Sequence, residues 1–379
     1  MKIVLSGVET NNKGAELMLY AILQEIERKF PGSSIYIEKD KVKQGKKYIQ
    51  TSLKFSTIQN PIMSIINFFH INGILWRLHI PPIVTYTKIP EVDYLIDGSG
   101  LHFTDSMVTE ESRNYWSQLF NQVKRYKAKI IFLPQGFGPL EKKETQESVK
   151  ILFDNADLVF AREHVSFDYL NRLDTIDNSK LKMYSDFTSL VEGKIPSGYE
   201  YLKGAVCVIP NMQMVNKKVV RLDEYISYLE KIINVVSNMD KQVYLLNHQG
   251  QEDEKLLSIC KKRFGTQIEV VTGLNALETK GLISTAYMVI SSRFHGVASA
   301  LNSCVPCLAT SWSHKYQCLF EDYGQNNCIL TINDINSDIK RIKELLDSER
   351  NSELRKQLQF KKPQIRQQTE EMWKLVWSV

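Results

Sequence analysis

Short apolar, β-branched runs recur along this 379-residue chain, and most are followed by a loop and a helix-like segment. The runs are KIVLSGV, SSIYIE, DYLIDG, KIIFLPQG and ADLVFA, then GAVCVIP, QVYLLN, IEVVTG and YMVISS. Strands alternating with helices in this way build parallel sheets covered on both faces. The order breaks at EGKIPSGYEYLKG, residues 192–204, where Gly, Pro and Ser replace apolar periodicity. A chain of this length also exceeds what one core usually supports. We therefore expect an α/β protein of two Rossmann-like, doubly wound domains facing a cleft. The first spans 1–195, with an apolar insertion at about 60–86, and the second spans 196–379 and ends in helices. Ligands of such sheets bind beyond the carboxyl ends of the strands, so chemistry is expected in the strand-end loops.

Forty-eight basic residues against 43 acidic leave a net charge of +5. That suits an anionic small ligand or an anionic membrane surface, and it is too mild to argue for nucleic acid. The six cysteines include one close pair, Cys304 and Cys307, with no second pair and no histidine pair to complete a zinc set. Reduced, structural thiols are expected, and with no HExxH or EF-hand pattern no bound metal is expected. The apolar part of MKIVLSGVETNNKG is too short for a signal peptide, which points to the cytoplasm. Residues 62–84, IMSIINFFHINGILWRLHIPPIV, are apolar but interrupted by Asn67, His70, Asn72 and Arg77, too broken to span a bilayer. They read either as an internal helix hairpin on the sheet or as an interfacial helix docking on lipid, with Lys43, Lys46, Lys47 and Lys54 nearby.

The strongest strand-end loop is SSRFHG, residues 291–296, between an apolar run and a helix. Arg293 offers a fork of donors that fits phosphate and carboxylate, and His295 can exchange a proton near neutrality. A helix start attracts an anion to the same turn, and Gly296 is expected to leave room for a ligand. The next strand-end loop adds Ser311, Ser313, His314, Lys315 and Tyr316. In the first half, Gly7 and Gly14 bracket a polar loop carrying Asn11, Asn12 and Lys13. Asp97 follows a strand as either a ligand contact or a turn cap, and Gln135 sits in a similar loop. Arg162 follows ADLVFA, pointing into the cleft or pairing with Glu163 beside it. His248 follows a strand of the second half and could touch ligand.

In their order and spacing, GVETNNKGAE, DYLIDGSG, LPQGFGP, ADLVFAREHVSFDYL, YSDFTSL and SSRFHGVASALNSCVPCLATSWSHKY resemble the polysaccharide pyruvyltransferase family over nearly the whole chain. The resemblance implies a GT-B-like pair of Rossmann folds, no cofactor, and phosphoenolpyruvate as donor. The acceptor would be a hexose of a lipid-linked saccharide, carried on undecaprenyl diphosphate at the inner face of the plasma membrane. The product would be a pyruvate ketal, commonly across the 4- and 6-hydroxyls. The family's essential arginine corresponds to Arg162, its Arg-x-His to Arg293 and His295, and its C-terminal lysine to Lys315. Ser99 departs from the pattern, since many members carry a second glycine there. On this reading Arg293 holds phosphate, Arg162 reaches across the cleft and His295 is the acid–base residue. Gly296, Ser313 and Lys315 complete the donor site, and Asn11, Asn12, Lys13, Asp97, Gln135 and His248 meet the acceptor. A GT-B glycosyltransferase with a nucleotide-sugar donor is the alternative, as is a non-catalytic sugar-binding component of capsule assembly, which the intact Arg-x-His disfavours.

Overall fold

A computed structural model of the chain describes residues 1–37, 92–265, 268–310 and 313–379. The segment 62–84, the lysines before it and Ser311 lie outside the described residues. The first sheet is built from β1 (Lys2–Ser6), β2 (Ser34–Ile37), β3 (Tyr94–Asp97), β4 (Leu101–Phe103), β5 (Lys129–Phe137), β6 (Leu158–Ala161) and β7 (Leu181–Met183). Its strands are parallel in the order β2-β1-β3-β5-β6-β7, with β4 on the extended end of β5. The second sheet comprises β8 (Val206–Ile209), β9 (Val243–Leu246), β10 (Glu269–Val271), β11 (Met288–Ser291), β12 (Cys307–Thr310) and β13 (Ile329–Leu330). It is parallel throughout, in the order β10-β9-β8-β11-β12-β13. The strand order therefore reverses between β1 and β3 in one sheet and between β8 and β11 in the other. Each reversal splays two strand-end loops apart and opens a crevice for ligand.

Among the described residues, the helices of the first half are α1 (Lys13–Lys29), α2 (Glu110–Lys124), α3 (Lys143–Asn155) and α4 (His164–Asn171). Those of the second are α5 (Gln213–Asn216), α6 (Leu222–Ser237), α7 (Gly250–Phe264), α8 (Ala276–Ser284), α9 (Phe294–Asn302), α10 (His314–Asp322), α11 (Ile335–Leu346) and α12 (Ser348–Val376). Helix α1 is buried along most of its length, from Gly14 to Ile26, because it lies between its own sheet and the second half of the chain. Asn12 caps it, accepting from the Gly14 amide at 2.9 Å, and this is a structural reason for an asparagine at that position.

The chain's end departs from the division drawn at 195/196. Helix α12 packs Leu354, Leu358 and Ile365 into the second core, and then, beyond Pro363, places Met372, Trp373 and Val376 in the first. There Trp377 meets Phe30 and Tyr94 edge-on, with ring centroids at 5.3 and 5.9 Å. Burying such side chains stabilises by roughly 1.5–3 kcal/mol each, so the last turns belong to the first domain's core and tie the halves together. Among the described residues, no helix is long and apolar enough to cross a membrane.

Candidate active site

The two crevices face one another and touch. Asn12, before α1, forms an antiparallel bridge with Gln249, before α7, and the Lys13 amide donates to the His248 carbonyl at 3.1 Å. The SSRFHG turn is held from beneath by a buried network. The Ser292 carbonyl accepts from Asn211 Nδ2 and from the Tyr316 hydroxyl, each at 2.9 Å, and the Ser292 hydroxyl lies 2.8 Å from that of Tyr225. A satisfied polar network of this kind fixes one conformation, and it aims Phe294 and His295 at the first domain.

His295 crosses the cleft. Its Nε2 stands 3.1 Å from Asp186 Oδ2, close but without the alignment of a directed hydrogen bond. Its Nδ1 lies beside Gly14, where a side chain would leave no space. Asp186 itself caps a turn, accepting from the Thr188 amide at 3.0 Å and from the Thr188 hydroxyl. Burial would raise the Asp186 carboxyl, but the His295 charge, the Thr188 contacts and Arg162 outweigh it and hold the group well below the ordinary carboxylate range. The buried Lys280 ammonium donates to the Thr188 carbonyl at 2.9 Å and so supports the same turn. Burial pushes Lys280 down to about 8, although Asp186 acts in the other direction.

Phe294 is a platform for two cations from different domains. The Arg162 guanidinium carbon lies 4.2 Å from the ring centroid and the Lys315 ammonium 5.8 Å from it. Arg162 has only a loose contact to Glu163, at 3.4 Å, and Lys315 has no carboxylate partner among the described residues. Burial, then the Arg162 charge, pushes Lys315 down to about 8. His248 is held well below the ordinary histidine value by burial and by the charges of Arg293, His295 and Lys13, and its Nδ1 is buried without a partner. Arg162 and Lys315 thus crowd positive charge onto one buried ring, an arrangement that favours an anion.

Other expectations need correction. The Arg293 fork is engaged, with Nε and Nη2 on the two Asp253 oxygens at 3.0 and 2.6 Å and Nη1 on Gln249. It therefore braces the start of α7 rather than facing the Phe294 platform. Gly296 makes room inward, not for ligand, since a side chain there would meet Ser291 Oγ at 2.5 Å and Ile209 at 2.9 Å. Asp97 is fully buried and serves Ser6 Oγ at 2.8 Å, the Ser99 amide at 3.1 Å and Gln135 Nε2 at 3.3 Å. Asp97 and Gln135 thus brace two loops instead of lining the cleft. Lys13 pairs with Glu16 at 2.7 Å at the start of α1, and Asn11 is exposed at the cleft edge. Ser313 occupies the cap position of α10. Asp186, Asp253 and Lys280 were not singled out in sequence. The Asp-x-Thr cap in SDFTS is the one local signal that could have found Asp186.

Set against known proteins, a family model described as polysaccharide pyruvyl transferase matches residues 12–314. No curated protein matches the chain. Among solved structures, UDP-GlcNAc 2-epimerase from Neisseria meningitidis bound to UDP-GlcNAc has a TM-score of 0.59 at 11% identity, covering 100% of both chains. The Methanocaldococcus jannaschii UDP-GlcNAc 2-epimerase, in complex with UDP-GlcNAc and UDP, scores 0.57 at 14% identity, covering 93% of this chain and 94% of that one. WaaG, a glycosyltransferase involved in lipopolysaccharide biosynthesis, scores 0.52 at 11% identity over 99% of each chain. At these identities the likeness is one of fold, and the fold is GT-B-like.

Proposed function

The chain belongs to the polysaccharide pyruvyl transferase family, and from that premise we propose that it transfers pyruvate from phosphoenolpyruvate to two hydroxyls of one hexose, forming a cyclic 4,6-ketal and releasing phosphate. The observation that carries the donor assignment is the meeting of Arg162 and Lys315, from two domains, over one aromatic ring. Phosphoenolpyruvate has a carboxylate and a phosphate on a small skeleton, so it needs cations from more than one direction. Arg162 and Lys315 supply two, and the amide end of α9 a further positive pole.

The chemistry adds two sugar oxygens to the enol carbon. In the first addition the hydroxyl forms a C–O bond while the methylene carbon gains a proton and becomes methyl. In the second, the neighbouring hydroxyl displaces phosphate, which leaves with the C–O electron pair and takes up that hydroxyl's proton. We assign these transfers to His295, whose Nε2 faces Asp186 Oδ2 at 3.1 Å and whose Nδ1 lies beside Gly14. The acceptor we propose is a lipid-linked, undecaprenyl-diphosphate-borne saccharide, met by the protein at the inner face of the plasma membrane.

Incubation with phosphoenolpyruvate and a panel of aryl and lipid-linked hexosides tests this, with phosphate release and the mass of the pyruvate adduct as readouts. The two UDP-GlcNAc 2-epimerases similar in fold are bound to UDP-GlcNAc, one of them also to UDP, which favours a nucleotide-sugar transferase as the second reading. Thermal stabilisation by UDP with indifference to phosphoenolpyruvate would establish it and overturn the first.

A further inference from the structure

Outside the Phe294 platform, three side chains with metal-binding chemistry come together from two domains. His164 opens α4 in the first domain, and Cys318 and Glu321 lie three residues apart on α10 of the second, on one face of the helix. Their ligand atoms all lie within 4.8 Å of one another. We propose that His164, Cys318 and Glu321 bind a divalent transition-metal ion of the zinc type and that this ion clips α4 to α10 across the cleft.

The ligand set argues for the ion. Imidazole, thiolate and carboxylate together suit zinc or cobalt and not the oxygen-seeking magnesium or calcium. Three protein ligands and one water complete a tetrahedron, whose edges at zinc bond lengths are about 3.5 Å. His164 and Glu321 are exposed, so small side-chain rotations can close the remaining distance, while Cys318 is buried and fixed. Glu321 already has the support that metal carboxylates carry, since Gln317 Nε2 donates to its Oε1 at 3.0 Å and leaves the other oxygen for a ligand bond. The surroundings are negative, with the carboxylates of Glu163, Glu321 and Asp322 all bearing on Cys318. Among the described residues Glu321 has no lysine or arginine partner to offset that charge. Binding would exchange the thiol proton of Cys318 for the metal and release it to solvent.

The clip has a consequence for the cation pair. Helix α4 begins two residues after Arg162, and Lys315 sits in the first turn of α10. Joining the two helices at this point fixes the separation of Arg162 and Lys315, beside the existing cross-domain contact of Ser185 Oγ with Asp322 at 2.7 Å. Neither the site nor its test depends on which donor the cation pair holds.

The test uses the full chain, stripped with chelator, desalted and titrated with Co²⁺ and Zn²⁺. The expected result is one ion per chain, a tetrahedral cobalt spectrum with a thiolate charge-transfer band, and a higher melting temperature with zinc. His164→Ala and Glu321→Gln change exposed side chains and should melt like the parent without metal, yet weaken cobalt binding by about tenfold or more. Cys318→Ser should lose the charge-transfer band, and if it fails to fold, the two exposed variants still decide. A parent protein without a thiolate band, or His164→Ala binding cobalt with undiminished affinity, would overturn the proposal.

Discussion

Asp186 and His295 meet across the cleft at 3.1 Å, so the histidine proposed as the acid–base residue is carried by one domain and faces a carboxylate of the other. Neither residue is fully equipped in its own domain, and the pair exists only when the halves are together. His295→Ala should lower kcat by ~10²–10⁴-fold while leaving the fold intact. Asp186→Asn should remove a smaller part of that factor, because the imidazole remains but its protonated form loses its counter-charge. The Asp186 carboxyl is depressed in the folded protein, so its contribution to stability is complete above the ordinary carboxylate value and drains away only as pH falls toward the folded value. Acid melts of the Asn variant should accordingly show a weaker loss of stability at low pH than the parent.

Gly14→Ala separates two physical effects. Helix propensity alone would favour alanine by about 1 kcal/mol. The added methyl would, however, stand 2.3 Å from His295 Nδ1 and 2.8 Å from its ring. Turnover should fall with no rise in melting temperature. A variant that is more stable and fully active would show that the His295 ring has room to move.

If Lys315 holds the donor as proposed, donor binding depends on pH. Its ammonium is held down to about 8, so phosphoenolpyruvate affinity should be highest below that value and fall, by up to about tenfold per pH unit, as the free protein's lysine loses its proton. Stability of the free protein should move the other way. Between about 8 and the ordinary lysine value of about 10.4 the unfolded chain holds a proton that the folded chain has released, so this group makes stability rise with pH. Calorimetry across pH 7–10 should find the decline abolished in Lys315→Arg.

Arg162 and Arg293 should fail differently. Arg162→Ala removes a cation with one loose partner and should weaken phosphoenolpyruvate binding with little change in melting temperature. Arg293→Ala leaves the buried Asp253 carboxylate without its fork, a loss on the order of 3–5 kcal/mol. Its defect should therefore appear first in thermal and denaturant unfolding. Equal melting temperatures for the two variants would return Arg293 to the donor site.

Much of the architecture was legible in the order of residues. Runs such as KIVLSGV and YMVISS became β1 and β11 because a strand buried on both faces must be apolar throughout, whatever surrounds it. Leu101–Phe103, Leu181–Met183 and Ile329–Leu330 are too short to carry a period, and they are strands because longer neighbours offer them hydrogen bonds. The strand-end loops are likewise readable, so Arg162, His295 and Lys315 stand out as candidates in the residue order alone. What each does there was decided by partners distant in sequence. Asp253 takes the Arg293 fork, Asp186 meets His295, and Phe294 becomes a shared face for two cations. Gly296 faces inward where ligand room was expected, and Asp97 resolves from ligand contact or turn cap to a buried brace, because a loop glycine or carboxylate carries no local mark of the direction it faces. That direction is set when two sheets and the helix between them pack into one volume, and residue order alone does not contain it.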